Sequence, residues 1–173
     1  MTWYPGPRPR SWLEDPPRRA KLESCARRQL SDLRYRHRQT RGGPVDIWRA
    51  QVRPGSYQPR LVTVEFARRF PRSPRLFVDG PTSSPHRYGD RGRTHLCLWF
   101  PDDLRDRRWN VVDGLLGLFG LAAHHLFKEA WWRETGEWLG EEAPHSSFPA
   151  TRMKLNRSAQ PVPERATCRV RRT

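Results

Sequence analysis

From Asn110 to Thr135 apolar residues recur at steps of three and four: Val112, Leu115, Leu116, Phe119, Ala122, Ala123, Leu126, Ala130 and Trp131. That spacing lines one face of a helix. The segment predicts the longest regular element of the chain, about 37 Å at 1.5 Å per residue. Asn110 is placed to cap its start, and Asp113 lies near the positive end of the helix dipole. Gly136 supplies a residue that readily turns left-handed after the last turn. Asp113, His124, His125, Lys128 and Glu129 interrupt the apolar run, so a buried amphipathic helix is a better reading than a membrane span. His124 and His125 point to adjacent faces and make a poor metal pair; one is expected half-buried and the other exposed.

Upstream, AKLESCARRQLSDLRYRHR (20–38) places Leu22, Cys25, Ala26, Leu30 and Leu33 at helical spacing and predicts a helix over the whole stretch. The period then changes to two. DIWRAQV (46–52), RLVTVEFARRF (60–70) and RLFVDGP (75–81) alternate, with Val62, Val64 and Phe66 on one side and Leu61, Thr63 and Glu65 on the other. The separators GSYQP and PRSP are turn formers, so the three runs predict an antiparallel meander. PTSSPHRYGDRGRT (81–94) reads as an irregular polar loop, HLCLWF (95–100) as a brief β-like run, and PDDLRDRRW (101–109) as loop or turn. After the long helix, GEWLGEEAPHSSFP is a compact loop anchored by Trp138 and Leu139. The order of elements is that of an α+β domain over residues 20–149. It is flanked by a Pro- and Arg-rich arm (1–19) and a basic tail (150–173), both expected to be disordered.

Composition supports a compact core with polar flanks: 35% hydrophobic residues, yet eight tryptophans, in 173 residues with a mean hydropathy of −0.92. The net charge of +15 would suit a polyanionic partner. However, the only lysines are Lys21, Lys128 and Lys154, an arginine bias that GC-rich codon usage explains without selection for phosphate binding. A cationic surface is therefore favoured over specific nucleic-acid binding, which would show a steep salt dependence. Cys25, Cys97 and Cys168 form neither a disulfide framework nor a CxxC zinc motif, which fits a reduced, cytoplasmic setting. The N-terminal stretch has no apolar core of the kind a signal peptide needs.

Chemistry centres on Cys97. A cysteine in an apolar run is by default a core residue. This one comes after a polar loop, precedes Pro-Asp-Asp, and has His86 and His95 near it in sequence. A zinc site built from His86, His95, Cys97 and His145 is disfavoured, and the H-x-E and P-C-x-x-C pattern of zinc deaminases is absent. No metal or cofactor is expected. Cys25 reads as part of the apolar face of the first helix, and Cys168 as incidental.

Taken in order, SPHRYGD (84–90), HLCLWFPDD (95–103), RRWN (107–110) and KEAWWRETGEWLGEEAPH (128–145) carry a specific resemblance. Over about residues 20–147 the chain resembles the bacterial ubiquitin-conjugating-like proteins of anti-phage cyclic-oligonucleotide signalling (CBASS) and related conjugation operons. The resemblance implies a ubiquitin-conjugating fold, with an N-terminal helix, a meander, a cysteine-bearing loop and a long central helix. It makes Cys97 the carrier of a protein C-terminus as a thioester, with His86 as the upstream motif histidine. Trp109 becomes the tryptophan before the helix, His145 the histidine of the closing Pro-His, and His95 a supporting neighbour. The implied cargo is a cGAS-like nucleotidyltransferase or a ubiquitin-like protein, passed to an acceptor amine. A separate activating enzyme could supply the charge, since the chain has no Gly-rich nucleotide motif. Eukaryotic members place an asparagine after His-Pro; here Pro85-His86-Arg87-Tyr88 has none. Two other readings stand beside this one: a non-catalytic adaptor on the same fold, and a basic nucleic-acid-binding protein.

Overall fold

A computed structural model describes residues 13, 15–70, 72–89, 93–99, 103–104 and 107–140. The chain begins with helix α1 (Pro16–Gln29). Four strands come next as a meander: β1 (Arg34–Thr40), β2 (Gly43–Val52), β3 (Arg60–Ala67) and β4 (Arg75–Val78). Two short strands, β5 (Arg87–Tyr88) and β6 (His95–Leu96), precede a 3-10 turn (Val111–Asp113) and the long helix α2 (Gly114–Thr135). All six strands form one antiparallel sheet in the order β1-β2-β3-β4-β6-β5. The α+β class, N-terminal helix, meander and long final helix agree with the sequence reading. The expectations for the N-terminal arm (Leu13 and residues 15–19 aside) and for the tail lie outside the described residues.

The first helix starts four residues before Ala20 and stops nine before Arg38, so its predicted bounds are corrected at both ends. Pro16 and Pro17 belong to it because the first helical amides need no partner, and Asp15 caps them by accepting from the Arg18 amide at 3.3 Å. The second half of the predicted helix is instead strand β1. RYRHRQT has no apolar alternation; Tyr35 turns to the core side, while Arg34, Arg36 and Arg38 are exposed on an edge strand. The backbone ladder to β2 and the hairpin closing Thr40 on Gly43, whose φ is 104°, impose the strand that side-chain pattern did not announce.

Both helices belong to one face of the sheet. Trp48, Val62, Val64, Phe66 and Leu76 point inward from the strands and meet Leu115, Leu118, Phe119, Ala122 and Leu126 of α2 and Ala26 of α1. Each large apolar side chain buried this way contributes about 1.5–3 kcal/mol. Trp48 is fully buried, packs edge-on to Phe66 and donates its Nε1–H to Glu23 of α1 at 3.0 Å, which ties that helix to β2. Asp46, also fully buried, accepts from Tyr35 at 2.6 Å and Arg68 at 2.9 Å, with His37 Nδ1 at 3.0 Å. Burial alone would raise its carboxyl, but these bonds from Arg68, Tyr35 and His37 hold it below the usual range.

α2 is long and apolar enough, by length and composition, to cross a membrane. Here its apolar face is spent on the sheet and α1, and it buries an ionised Glu129 among arginines. Its start departs slightly from expectation. Asn110 donates its amide to the Asp113 carboxylate at 2.8 Å and opens the 3-10 turn, so the α-helix proper begins at Gly114. Gly114 has φ 65°, its carbonyl accepts the Trp109 indole at 2.9 Å, and a Cβ there would meet Leu22 at 3.3 Å. Gly114→Ala should therefore cost about 1–3 kcal/mol by forcing an L-residue into that conformation, read as a lower midpoint in urea unfolding. At the other end Gly136, φ 77°, closes the helix as the sequence indicated, with its amide on the Trp132 carbonyl.

Candidate functional site

Cys97 lies just past β6, half-buried, and is the free thiol among the described residues. Cys25, expected as a plain reduced apolar position, is half-buried on α1 and disulfide-bonded, which corrects that expectation. The Cys97 amide donates to the His86 carbonyl at 2.9 Å, extending the β5–β6 ladder in which Arg87 faces Leu96 and Tyr88 faces His95. The Pro-His turn and the cysteine are thus joined through backbone, by a strand pair that begins inside the stretch 81–94 expected to be an irregular loop, which corrects that expectation. Tyr88, which sequence reasoning did not single out, faces His95 across this ladder, with ring centroids 6.2 Å apart. Burial pushes the thiol up, the nearby Tyr88 hydroxyl pulls it down, and the Asp103 carboxylate pushes it up again; the net direction is upward. At neutral pH the resting group is therefore a thiol.

His86 is buried, with 5% of its surface exposed. Its ring stacks on Trp138 at 3.8 Å between centroids and meets His125 of α2 edge-on at 6.3 Å. Its amide donates to Ser84 Oγ at 3.2 Å. His95 sits half-buried on β6 between the rings of Phe77 and Tyr88; burial first, and Arg75 second, depress its basicity. Trp109 lies away from this group: it is a core residue against Phe66, bonded to the start of α2. His145 lies outside the described residues. The structure therefore gathers Cys97, His86 and His95 at one end of the sheet and gives Trp109 a supporting place under α2.

An ion pair fixes the turn. Arg87 donates from Nε and Nη2 to the two oxygens of Glu129 at 2.7 and 2.8 Å, and both side chains are almost fully buried. Arg133 lies 3.3 Å from the same carboxylate. Arg133 further donates to the Pro81 and Ser83 carbonyls at 3.2 and 3.4 Å. Burial would raise the Glu129 carboxyl, but Arg87, Ser84 and Arg133 keep it lowered and charged. The loop before the cysteine is thereby latched to the last turns of α2. The sequence carries one signal of this latch, an acid on the buried face of the helix, one turn after His125 and Leu126.

The pair His124-His125 divides between two environments, with His124 exposed and His125 buried more fully than expected. Burial drives His125 down to about 4, despite the opposing pull of Glu129, with His86, Arg87 and Lys128 adding to the descent. A histidine held neutral in the fold and titrating near 6.5 when unfolded loses stability as pH falls through that window. Between about pH 6.5 and 4 the loss from this residue should approach about 3 kcal/mol. Chemical denaturation across that range should show it, and His125→Leu should flatten the slope there.

Among the described residues no cluster of three or more His, Cys, Asp or Glu side chains is arranged to hold a metal ion. A family model described as "Type II CBASS E2 protein" matches residues 27–146. No curated protein matches the chain.

Proposed function

For a chain that belongs to the type II CBASS E2 family, an E2-like protein of CBASS anti-phage systems, we propose a transferase that carries a protein C-terminus as a thioester on Cys97. The observation that supports this most directly is a free, half-buried thiol tied by its own amide to the Pro-His turn. Loading transfers an activated acyl group: the sulfur attacks the acyl carbon, the thiol proton goes to solvent, and the activating group leaves. Release reverses the sense, with an acceptor amine forming the C–N bond as the C–S bond breaks. His86 serves by holding the turn in register through its carbonyl and its stack on Trp138, and His95 by packing beside Tyr88. His145 is kept as a supporting residue of the same site.

The cargo in this reading is the C-terminus of a cGAS-like nucleotidyltransferase or a ubiquitin-like protein, charged by a separate activating enzyme or taken up without one. Co-expression with such a cargo, followed by non-reducing intact-mass measurement, should give an adduct equal to cargo minus water that disappears with dithiothreitol. Its absence with every cargo of the operon would sink the proposal. One observation favours an adaptor instead: the thiol is held above its ordinary value and is not pre-ionised. In that case Cys97→Ala would leave pathway function unchanged.

A further inference from the structure

We propose that the free edge of β1 is a docking site for an extended acidic segment of another protein, which adds to the sheet as a further strand and sets carboxylates at alternate positions against Arg34 and Arg36. The inference goes beyond the transferase reading: β1 and the β5–β6 pair that leads into Cys97 stand at opposite ends of the sheet.

The edge is regular. All of β1 pairs with β2 in unbroken register, from Arg34 against Arg49 to Thr40 against Gly43. Among the described residues no strand pairs with β1 on its other side. RYRHRQT contains no proline, so every residue keeps its amide. An edge strand turns alternate amides and carbonyls away from the sheet, where an incoming strand can pair with them. The side chains decide which strand that is. Tyr35 turns to the core side, so Arg34, Arg36 and Arg38 share the face that the helices leave uncovered, and all three are exposed. Arg38 lies 3.7 Å from Glu65. Arg34 and Arg36 have no carboxylate partner among the described residues, and neither has Arg49, which stands directly opposite Arg34. Like charges in register on neighbouring strands repel. The fold leaves that repulsion in place, and a carboxylate set against Arg34 relieves it. A hollow of about 330 Å³, lined by Asp32, Arg34, Arg36, Ile47, Arg49 and Leu61, opens beside the arginines on the same face. The Asp32 carboxylate in that lining accepts from the Gln51 amide at 2.7 Å.

Charge also selects among occupants. A second copy of β1 would bring arginine against arginine, and a basic strand would do the same. A nucleic acid calls for a longer cationic track, whereas Glu65 neutralises this face at Arg38 and Arg93. An extended peptide repeats its side chains on one face about every 7 Å, which is also the period of the arginines. Asp or Glu at every second residue therefore meets Arg34 and then Arg36.

The test uses the full chain and fluorescence anisotropy with the dye-tagged peptide Thr-Glu-Val-Glu-Thr-Glu-Val. This peptide should bind, and its rearranged form Thr-Val-Thr-Val-Glu-Glu-Glu, equal in charge, should bind about tenfold more weakly. Of two versions N-methylated on one or the other set of alternate amides, one should fail to bind and the other should bind normally, because only one set faces β1. The double variant Arg34→Glu with Arg36→Glu should lose the acidic peptide and gain Thr-Lys-Val-Lys-Thr-Lys-Val, a reversal that misfolding does not produce. Equal binding of the two acidic peptides, or of an oligothymidylate of the same charge, means a site that reads charge alone and overturns the proposal. So does the absence of binding, the result expected if the edge arginines serve only to keep other strands away. No thioester forms in this assay, so its failure and the failure of the transferase reading are separate results.

Discussion

Cys97→Ser should convert a reductant-labile adduct into one that survives dithiothreitol and yields only to hydroxide. Serine offers oxygen in the same place, and an oxyester is a poorer acyl donor than a thioester, so cargo that reaches it stays. Cys97→Ala should give no adduct, with transfer reduced by about a thousandfold or more, the scale on which loss of a nucleophile acts. Neither change should unfold the protein. The side chain is half-buried at a strand end, and a shift in melting temperature within about 4 °C is expected for a loss of about 1 kcal/mol in a chain of this size. The decisive comparison is between the two variants in one gel, with and without reductant. Adduct on the alanine variant would mean that the cargo is attached elsewhere.

Glu129→Ala should bring the largest loss of stability. Glu129 is fully buried and Arg87 nearly so. Removing the carboxylate leaves a guanidinium in the interior without its partner, which costs about 3–5 kcal/mol, or about 10 °C in melting temperature. Restoring apolar contact on both sides, as in Arg87→Met with Glu129→Leu, should recover most of that loss. The penalty lies in the orphaned charge, more than in the strength of the bond. A thermal melt of the single and double variants separates the two contributions. A Glu129→Ala protein that melts within 2–3 °C of the parent (about 1 kcal/mol) would mean that Arg87 finds solvent.

These residues also show what a sequence can carry. Cys97 is singled out as a candidate by the order of motifs around it. The alternation through Val62, Val64 and Phe66, and the spacing from Leu115 to Leu126, locate β3 and α2 because burial imposes a period on side chains. β1 escapes because its side chains are mostly exposed, and exposed arginines carry no period that distinguishes strand from helix. Glu129 reads only as an interruption of an apolar helix. Its partner Arg87 is 42 residues away, and pairing over that distance is a property of the fold. His86 is legible as a motif residue, but its stack on Trp138 requires α2 to end where Gly136 turns the chain.

The strands that carry the Pro-His turn and lead into the cysteine are the shortest in the sheet. β5 and β6 have two residues each, and β4 meets β6 through the single pair Phe77–His95. Cooperativity along a sheet comes from the number of successive amides that must open together. Hydrogen exchange should therefore divide the molecule into two parts: a slow unit of β2, β3 and α2, and a fast one at the Pro-His turn. Opening of the fast unit would part the Cys97 amide from the His86 carbonyl while the rest of the sheet stays closed. The Glu129 latch then sets the free energy of that opening, so the Cys97 thiol has a local unfolding equilibrium built in beside it.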